Sequence, residues 1–185
     1  MTRFGTVMAT FFACVGVALA SVVSLPTKLV WNASASTPIG LYDIAPPHHL
    51  AVGDLVVATQ PKSVASLMVS RGYIGRQVPL LKHIAALPGQ VVCRTDTTVT
   101  VDGHRLGDAL ARDRAGRPLP VWQGCRRIAA DEIFLMNPAV PDSFDGRYFG
   151  PIATRSIIGK ATPLYTDQQG NGHFVWRPLA SGPSR

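Results

Sequence analysis

The sequence predicts a mainly β, antiparallel domain behind one apolar N-terminal helix. Three observations lead there. Residues Phe4 to Leu25 form a run of 22, of which 16 are apolar and none is charged. After Asn32, short runs of Val, Ile, Leu, Thr and aromatic residues are separated by Gly- and Pro-containing turns. Thr98–Val101, Asp102-Gly103 and His104–Leu106 form a hairpin signal, because Asp-Gly favours the turn whose twist matches paired strands. With 185 residues, 46% hydrophobic and 16% charged, the chain is neither disordered, collagen-like nor a long coiled coil. Without the apolar run the remainder is about 42% hydrophobic, as in an ordinary soluble domain.

As a helix, the 4–25 run would span roughly 33 Å, enough for a hydrocarbon core of about 30 Å. Arg3 precedes it and Lys28 follows, so the positive-inside rule, aided by the amino terminus, favours an inside N-terminus and an exported domain. A cleaved signal peptide is the rival reading, with Ala18-Leu19-Ala20 at the cleavage spacing. The run continues past that triplet through Val22, Val23 and Leu25, which favours an uncleaved anchor. A buried core helix would need a polar face, and this segment has none.

The second domain is expected over 32–180. Gly40–Ile44 reads as a strand ended by Pro46-Pro47, and Leu55–Ala58 as the next. Residues 62–73 carry Val64, Leu67 and Met68 at helical spacing. Leu80–Leu87 is a strand closed by Pro88-Gly89, and Val91-Val92 begins another before the hairpin. Residues 107–127, Arg-rich and broken by prolines, read as an excursion from the core. Glu132–Met136 is a strand, and Ile157–Ala161 and Pro163–Tyr165 are two closing strands. The residues ending at Arg185 are expected to fray.

Cys14 lies within the apolar run, leaving Cys93 and Cys125 as an even pair in a domain expected to face an oxidising compartment. Either they are bridged, or they are two separate buried thiols. No Cys/His spacing suggests zinc, the five histidines lack metal-ligand spacing, and no cofactor is expected. There is no G-x-S-x-G elbow, no H-E-x-x-H, no P-loop and no G-x-G-x-x-G.

Two segments carry chemistry. Asn32–Tyr42 places small hydroxyl residues in a Pro/Gly-defined turn just outside the expected membrane face. Leu80–Gly89 places one lysine, Lys82, in an apolar strand whose alternation sets it with Ile84 and Ala86 and sets His83 on the other face. Burial favours the neutral amine and lowers its pKa, as a general base requires. A snorkelling or edge-strand lysine accounts for the same pattern without chemistry.

Taken together, these residues resemble the S26 family of signal peptidases, serine proteases with a Ser/Lys dyad, and more closely its TraF-type branch of plasmid conjugation peptidases. That branch carries N-x-T-x-S-x-P-x-G-[LW]-Y, then [LV]-K-R-[IV]-x-[AG]-x-P-G, then S-x-D-S-R-Y-[FW]-G-P. The matching segments are Asn32–Tyr42, Leu81–Gly89 and Ser143–Pro151, in the same order and behind an apolar run. The resemblance implies a signal-peptidase-like (S26/LexA-like) β domain, with Ser36 as nucleophile and Lys82 as base. It also implies that the Ser34 hydroxyl helps the Ser36 N–H hold the oxyanion. Asp145 matches the acidic residue of the third box, and Arg147 is expected to pair with it. Three residues depart from the pattern: Ser34 stands for Thr, His83 for Arg and Gly146 for Ser. His83, facing away from Lys82, is expected to have little effect. The hydrogen bond to the base that the missing serine supplies elsewhere falls to Ser143 or is unfilled.

The function expected is a single-pass inner-membrane serine endopeptidase with its catalytic domain in the periplasm. It would process exported precursors such as a conjugative pilin, by cleavage or cleavage with cyclisation, alongside components of a conjugation or type IV secretion apparatus. The alternative is a non-catalytic anchored β module of such an apparatus. The net charge of +7 raises nucleic-acid binding as a third reading. Against it, the excess is concentrated in Arg105, Arg112, Arg114, Arg117, Arg126 and Arg127, with only Trp122 interleaved and no recognition helix. A basic patch beside anionic lipid headgroups is the more economical expectation.

Overall fold

The computed structural model describes residues 2–22 and 27–177, with side chains described through Leu19 and again from Thr27. Helix α1 (Arg3–Val22) leads the chain. Most of its described apolar side chains are exposed, from Phe4 (74%) and Phe12 (62%) to Val17 (72%) and Leu19 (60%). Among the described residues, no helix is long and apolar enough to cross a membrane. The expected span of 4–25 runs on into residues 23–26, which lie outside the described residues.

The β domain follows. Strands β1 (Leu29–Asn32) and β2 (Ile39–Ala45) form a hairpin, starting three residues before the expected boundary at 32. Next come β3 (Leu55–Ala58), helix α2 (Lys62–Ser70) and β4 (Leu80–Ala86). Helix α2 ends where Tyr73 N donates back to Met68 O and Gly72 N to Val69 O, a reverse turn that sends Tyr73 off the helix. Strands β5 (Val91–Thr95), β6 (Thr98–Val101), β7 (His104–Asp108) and β8 (Gly124–Arg127) make a second sheet. The Asp102-Gly103 turn joins β6 to β7 with φ of 49° and 81°, the two left-handed positions that this hairpin requires. After β9 (Glu132–Leu135) come the short helix α3 (Gly146–Phe149), β10 (Ile152–Ala153), β11 (Ile157–Asp167) and β12 (Val175–Trp176).

The larger sheet runs β1-β2-β11-β3-β4-β9-β10, antiparallel throughout, with β12 added to β11. The smaller runs β7-β6-β5-β8. Strand β9 explains how they share a core. Ile133 and Leu135 join Val56 and Ile84 on one face, while Phe134 and the following Met136 join Val92, Val99 and Ile128 on the other. Both faces are covered, so the strand is apolar at successive positions rather than alternating.

One expectation is corrected here. The two closing strands are one strand of 11 residues, because Pro163, which has no N–H to donate, sits where the register shifts between Pro163 and Tyr165. Residues 107–127 are mostly exposed and are anchored to the core at two points. Ala109 and Leu119 are buried against Tyr148, and the segment closes as β8 on β5. The arginines of this segment and the neighbouring Arg105 are mostly exposed and partnered. Arg117 pairs with Asp113, Arg114 with Asp142, Arg126 with Glu132 and Arg105 with Asp108, while Arg112 and Arg127 donate to the carbonyls of Gly116 and Gly89. Cys93 and Cys125 face each other across β5 and β8 and are disulfide-bonded; Cys14 is free and exposed.

Candidate active site

The first element of the site is the turn over residues 33–38, between β1 and β2, and Asn32 builds it. Its side-chain oxygen accepts from Ser34 N and Ser34 Oγ, both at 3.0 Å. Its amide nitrogen lies 2.8 Å from both Ser34 O and Thr37 Oγ1. Tyr42 Oη donates to Pro38 O at 2.6 Å, and burial pushes this phenol up to about 12, so it stays a donor. A Cβ on Gly40 would lie 2.2 Å from Tyr165 O, so the close approach of β2 to β11 requires glycine. The Asn, Thr, Pro, Gly and Tyr of this segment therefore share one task, which is to hold Ser36 half-buried at the tip of the turn.

Lys82 comes from β4, paired with Val56 of β3 and only 4% exposed. Its Nζ donates to Ser36 Oγ at 3.0 Å and to Ser143 Oγ at 2.8 Å. Burial lowers its pKa to about 8; the Asp145 and Asp142 carboxylates act against this shift and the Arg147 guanidinium acts with it. A neutral amine here has a lone pair for the Ser36 hydroxyl proton and an N–H for Ser143. Ser34 Oγ lies 3.1 Å from Ser36 Oγ, so a third hydroxyl meets the same point.

Behind this constellation is a buried ion pair. Asp145 and Arg147 are 0% and 1% exposed, joined at 2.8 Å between Arg147 Nη2 and Asp145 Oδ2 and at 2.9 Å between Nε and Oδ1. The guanidinium also donates to the carbonyls of Asn137, Val140, Pro141 and Asp108. A buried pair with its remaining donors satisfied fixes the loop that it bonds, and this loop carries Ser143. Asp145 and Arg147 make no hydrogen bond to Ser36 or Lys82 among the described residues; they hold the backbone around them. Gly146, the departure from Ser, has a steric cause: a Cβ there would lie 2.5 Å from Leu135 O and 2.6 Å from the Phe134 ring. The serine missing at 146 is answered by Ser143, which stands next to the Lys82 amine.

The structure thus brings Ser34, Ser36, Lys82 and Ser143 together, with Asp145 and Arg147 one layer behind. His83 alternates with Lys82 along β4, and its backbone N and ring Nδ1 both reach Asn137 Oδ1, at 3.0 and 3.1 Å. Asn137 carries no motif or spacing that marks it in the sequence. The Cys93–Cys125 bond lies in the smaller sheet and does not line the site. The dyad opens into a cleft of about 760 Å³, walled by Met68, Tyr73, Ile74, Leu80 and Phe144 together with Leu110, Arg114 and Leu119 of the Arg-rich segment. Among the described residues, no group of His, Cys, Asp and Glu side chains is placed to hold a metal.

A family model described as signal peptidase, peptidase S26, matches residues 1–166. A probable conjugal transfer protein TraF from Sinorhizobium fredii (strain NBRC 101917 / NGR234) is 38% identical over 145 residues, covering 73% of this chain and 76% of its own. A plasmid transfer protein TraF from Escherichia coli is 32% identical over 152 residues, covering 77% and 79%. The conjugal transfer protein TraF of Agrobacterium fabrum (strain C58 / ATCC 33970) is 31% identical over 145 residues, covering 73% and 81%. A solved signal peptidase I from Enterococcus faecalis V583 aligns with 64% of this chain and 98% of its own at 18% identity and a TM-score of 0.37, too distant to carry weight.

Proposed function

The chain belongs to the peptidase S26 family of signal peptidases, and on that premise we propose that it is a membrane-anchored serine endopeptidase working through a Ser36/Lys82 dyad. The observation that carries this reading is the 3.0 Å hydrogen bond between a buried, pKa-lowered Lys82 Nζ and Ser36 Oγ. Neutral Lys82 takes the Ser36 proton as Ser36 Oγ attacks the scissile carbonyl. The Ser36 N–H and the Ser34 hydroxyl hold the oxyanion, the latter by turning its proton away from Asn32 Oδ1. Lys82, now an ammonium, protonates the leaving amine and then activates the deacylating nucleophile. That nucleophile is water, or the substrate's own amino terminus if the product is cyclised.

The conjugal-transfer names of the relatives support an exported, pilin-type precursor as substrate. A membrane anchor is supported by α1, most of whose described apolar side chains are exposed, and by the exposed Lys28, Trp31 and Trp176. The disulfide is consistent with a periplasmic domain.

The test is precursor processing by Ser36→Ala and Lys82→Ala in the full-length membrane protein. Both are expected to be inactive while folded and membrane-bound. Normal processing by either would return the chain to a non-catalytic β module. Mass spectrometry of the product separates hydrolysis from cyclisation, which leaves it one water lighter.

A further inference from the structure

We infer that Asn137 is a positioning residue that ties the nucleophile's turn to the strand carrying the base through one buried carboxamide. The inference rests on the Ser36/Lys82 reading above. Asn137 follows β9 and is 3% exposed. Its Nδ2 donates to Ser36 O at 2.7 Å and lies 3.5 Å from Leu81 O. Its Oδ1 accepts from His83 N at 3.0 Å, with His83 Nδ1 at 3.1 Å. Leu81 and His83 are the two neighbours of Lys82, so the carboxamide grips the strand on both sides of the base. The Asn137 backbone is held as well: its N donates to Asp145 Oδ2 at 3.0 Å and its O accepts from Arg147 Nη2 at 3.1 Å.

The chemistry of the position is selective. It requires a donor toward the Ser36 carbonyl and an acceptor toward the His83 N–H, on the two arms of one planar group. A short carboxamide supplies both in one orientation only, with nitrogen toward Ser36 and oxygen toward His83. Asp would offer oxygen to a carbonyl, Leu would offer neither group, and Gln is a methylene too long. With its carbonyl fixed, Ser36 cannot rotate about its own backbone without breaking a buried hydrogen bond. The separation of Oγ from the Lys82 amine is therefore set by Asn137 together with the turn itself. His83 belongs to the same unit, because its ring Nδ1 must carry a proton to meet Oδ1.

The test uses full-length protein in detergent, with Asn137→Asp as the near-isostere and Asn137→Ala as a second variant should the first fail to fold. The substrate is the fastest-cleaved member of a randomised peptide library, chosen with wild type and followed by mass spectrometry. Because the new carboxylate in Asn137→Asp also bears on Lys82, kcat is compared on the alkaline plateau. The expected result is a kcat loss of about 100-fold with KM within about threefold, since misplacing a reacting group by an ångström costs about that much. Amide hydrogen exchange over residues 33–37 should speed up by about tenfold or more with the melting temperature little changed. A folded Asn137 variant with wild-type kcat and wild-type exchange would overturn the inference, as would a loss of activity that only tracks the unfolded fraction. Ser36→Ala is run in parallel. If it cleaves like wild type, the dyad itself fails; if it is inactive while the Asn137 variants are not, only the positioning role fails.

Discussion

Ser143 Oγ lies 2.8 Å from Lys82 Nζ, closer than Ser36 Oγ at 3.0 Å, and the two hydroxyls bracket a single buried amine. An amine with one fixed partner has its remaining valences aimed, so Ser143 sets the direction in which Lys82 meets Ser36. Truncating it leaves Lys82 buried with one anchor. The expected outcome for Ser143→Ala is a fall in processing rate of about 10- to 100-fold, the worth of a hydrogen bond to a charged or polar buried group. The fold should be retained, because the loop is held by Arg147 and not by the serine hydroxyl. Rate measurements on the purified variant check this, and an unchanged rate would remove Ser143 from the site.

The acid limb of the pH profile has a defined position and sign. Lys82 acts as base only when neutral, and its pKa is lowered to about 8. The rate should therefore rise about tenfold per pH unit below that value and level off above it. A kcat/KM profile flat from pH 6 to 9 would exclude this lysine as the base.

The same lysine sets a stability prediction of its own. With a folded pKa of about 8 against an ordinary 10.5, the unfolded chain binds more protons between those values, so stability rises with pH across that window. Below it, both states are charged and burial of the ammonium is fully felt, a cost on the order of 3 kcal/mol. Lys82→Met should therefore be inactive yet melt higher than wild type at pH 7. Thermal unfolding of the two proteins side by side is the measurement, and a lower melting temperature would argue against it.

Restoring the serine common at position 146 should do harm. Its Cβ would press on Leu135 O and the Phe134 ring in a region without free space. Gly146→Ser is expected to lose about 1–3 kcal/mol by overpacking. Urea denaturation reads this directly, and a neutral or stabilised variant would show that β9 can yield.

Reducing the Cys93–Cys125 bond should loosen the cleft wall without touching the dyad. The bond closes the loop that contains residues 109–123, part of which lines the cleft. In the chain-entropy model its loss costs about 3–4 kcal/mol. Limited proteolysis of the reduced protein should then begin within that loop. Cutting that begins elsewhere, or resistance equal to the oxidised form, would contradict this account.

Much of the site can be read from local sequence, and the reason is visible residue by residue. Asn32, Thr37, Pro38, Gly40 and Tyr42 act on one turn within 11 residues, so their pattern is a readable motif. Lys82 announces itself as the one charge in an apolar strand. The hairpin at Asp102-Gly103 is equally local. Other contacts have no such trace. Ser143 meets Lys82 across 61 positions, and Asn137 meets Ser36 across 101. Arg114 and Arg126 pair with Asp142 and Glu132, which lie outside 107–127, so the segment taken alone reads as a basic patch.

The apolar block of 22 residues and the antiparallel β character follow from the sequence by itself, because hydrophobic pattern and turn chemistry act over a few neighbouring residues, while the candidates Ser36 and Lys82 follow from it only through the resemblance of its three boxes to the S26 family. Only the tertiary structure decided that Ser143 stands where Gly146 leaves no side chain, that Asn137 joins the nucleophile's turn to the base's strand, and that the Arg-rich segment walls the cleft. Each of those depends on which buried donor finds which acceptor once distant strands are side by side. Sheet register sets that, and the linear order of the chain does not reveal it.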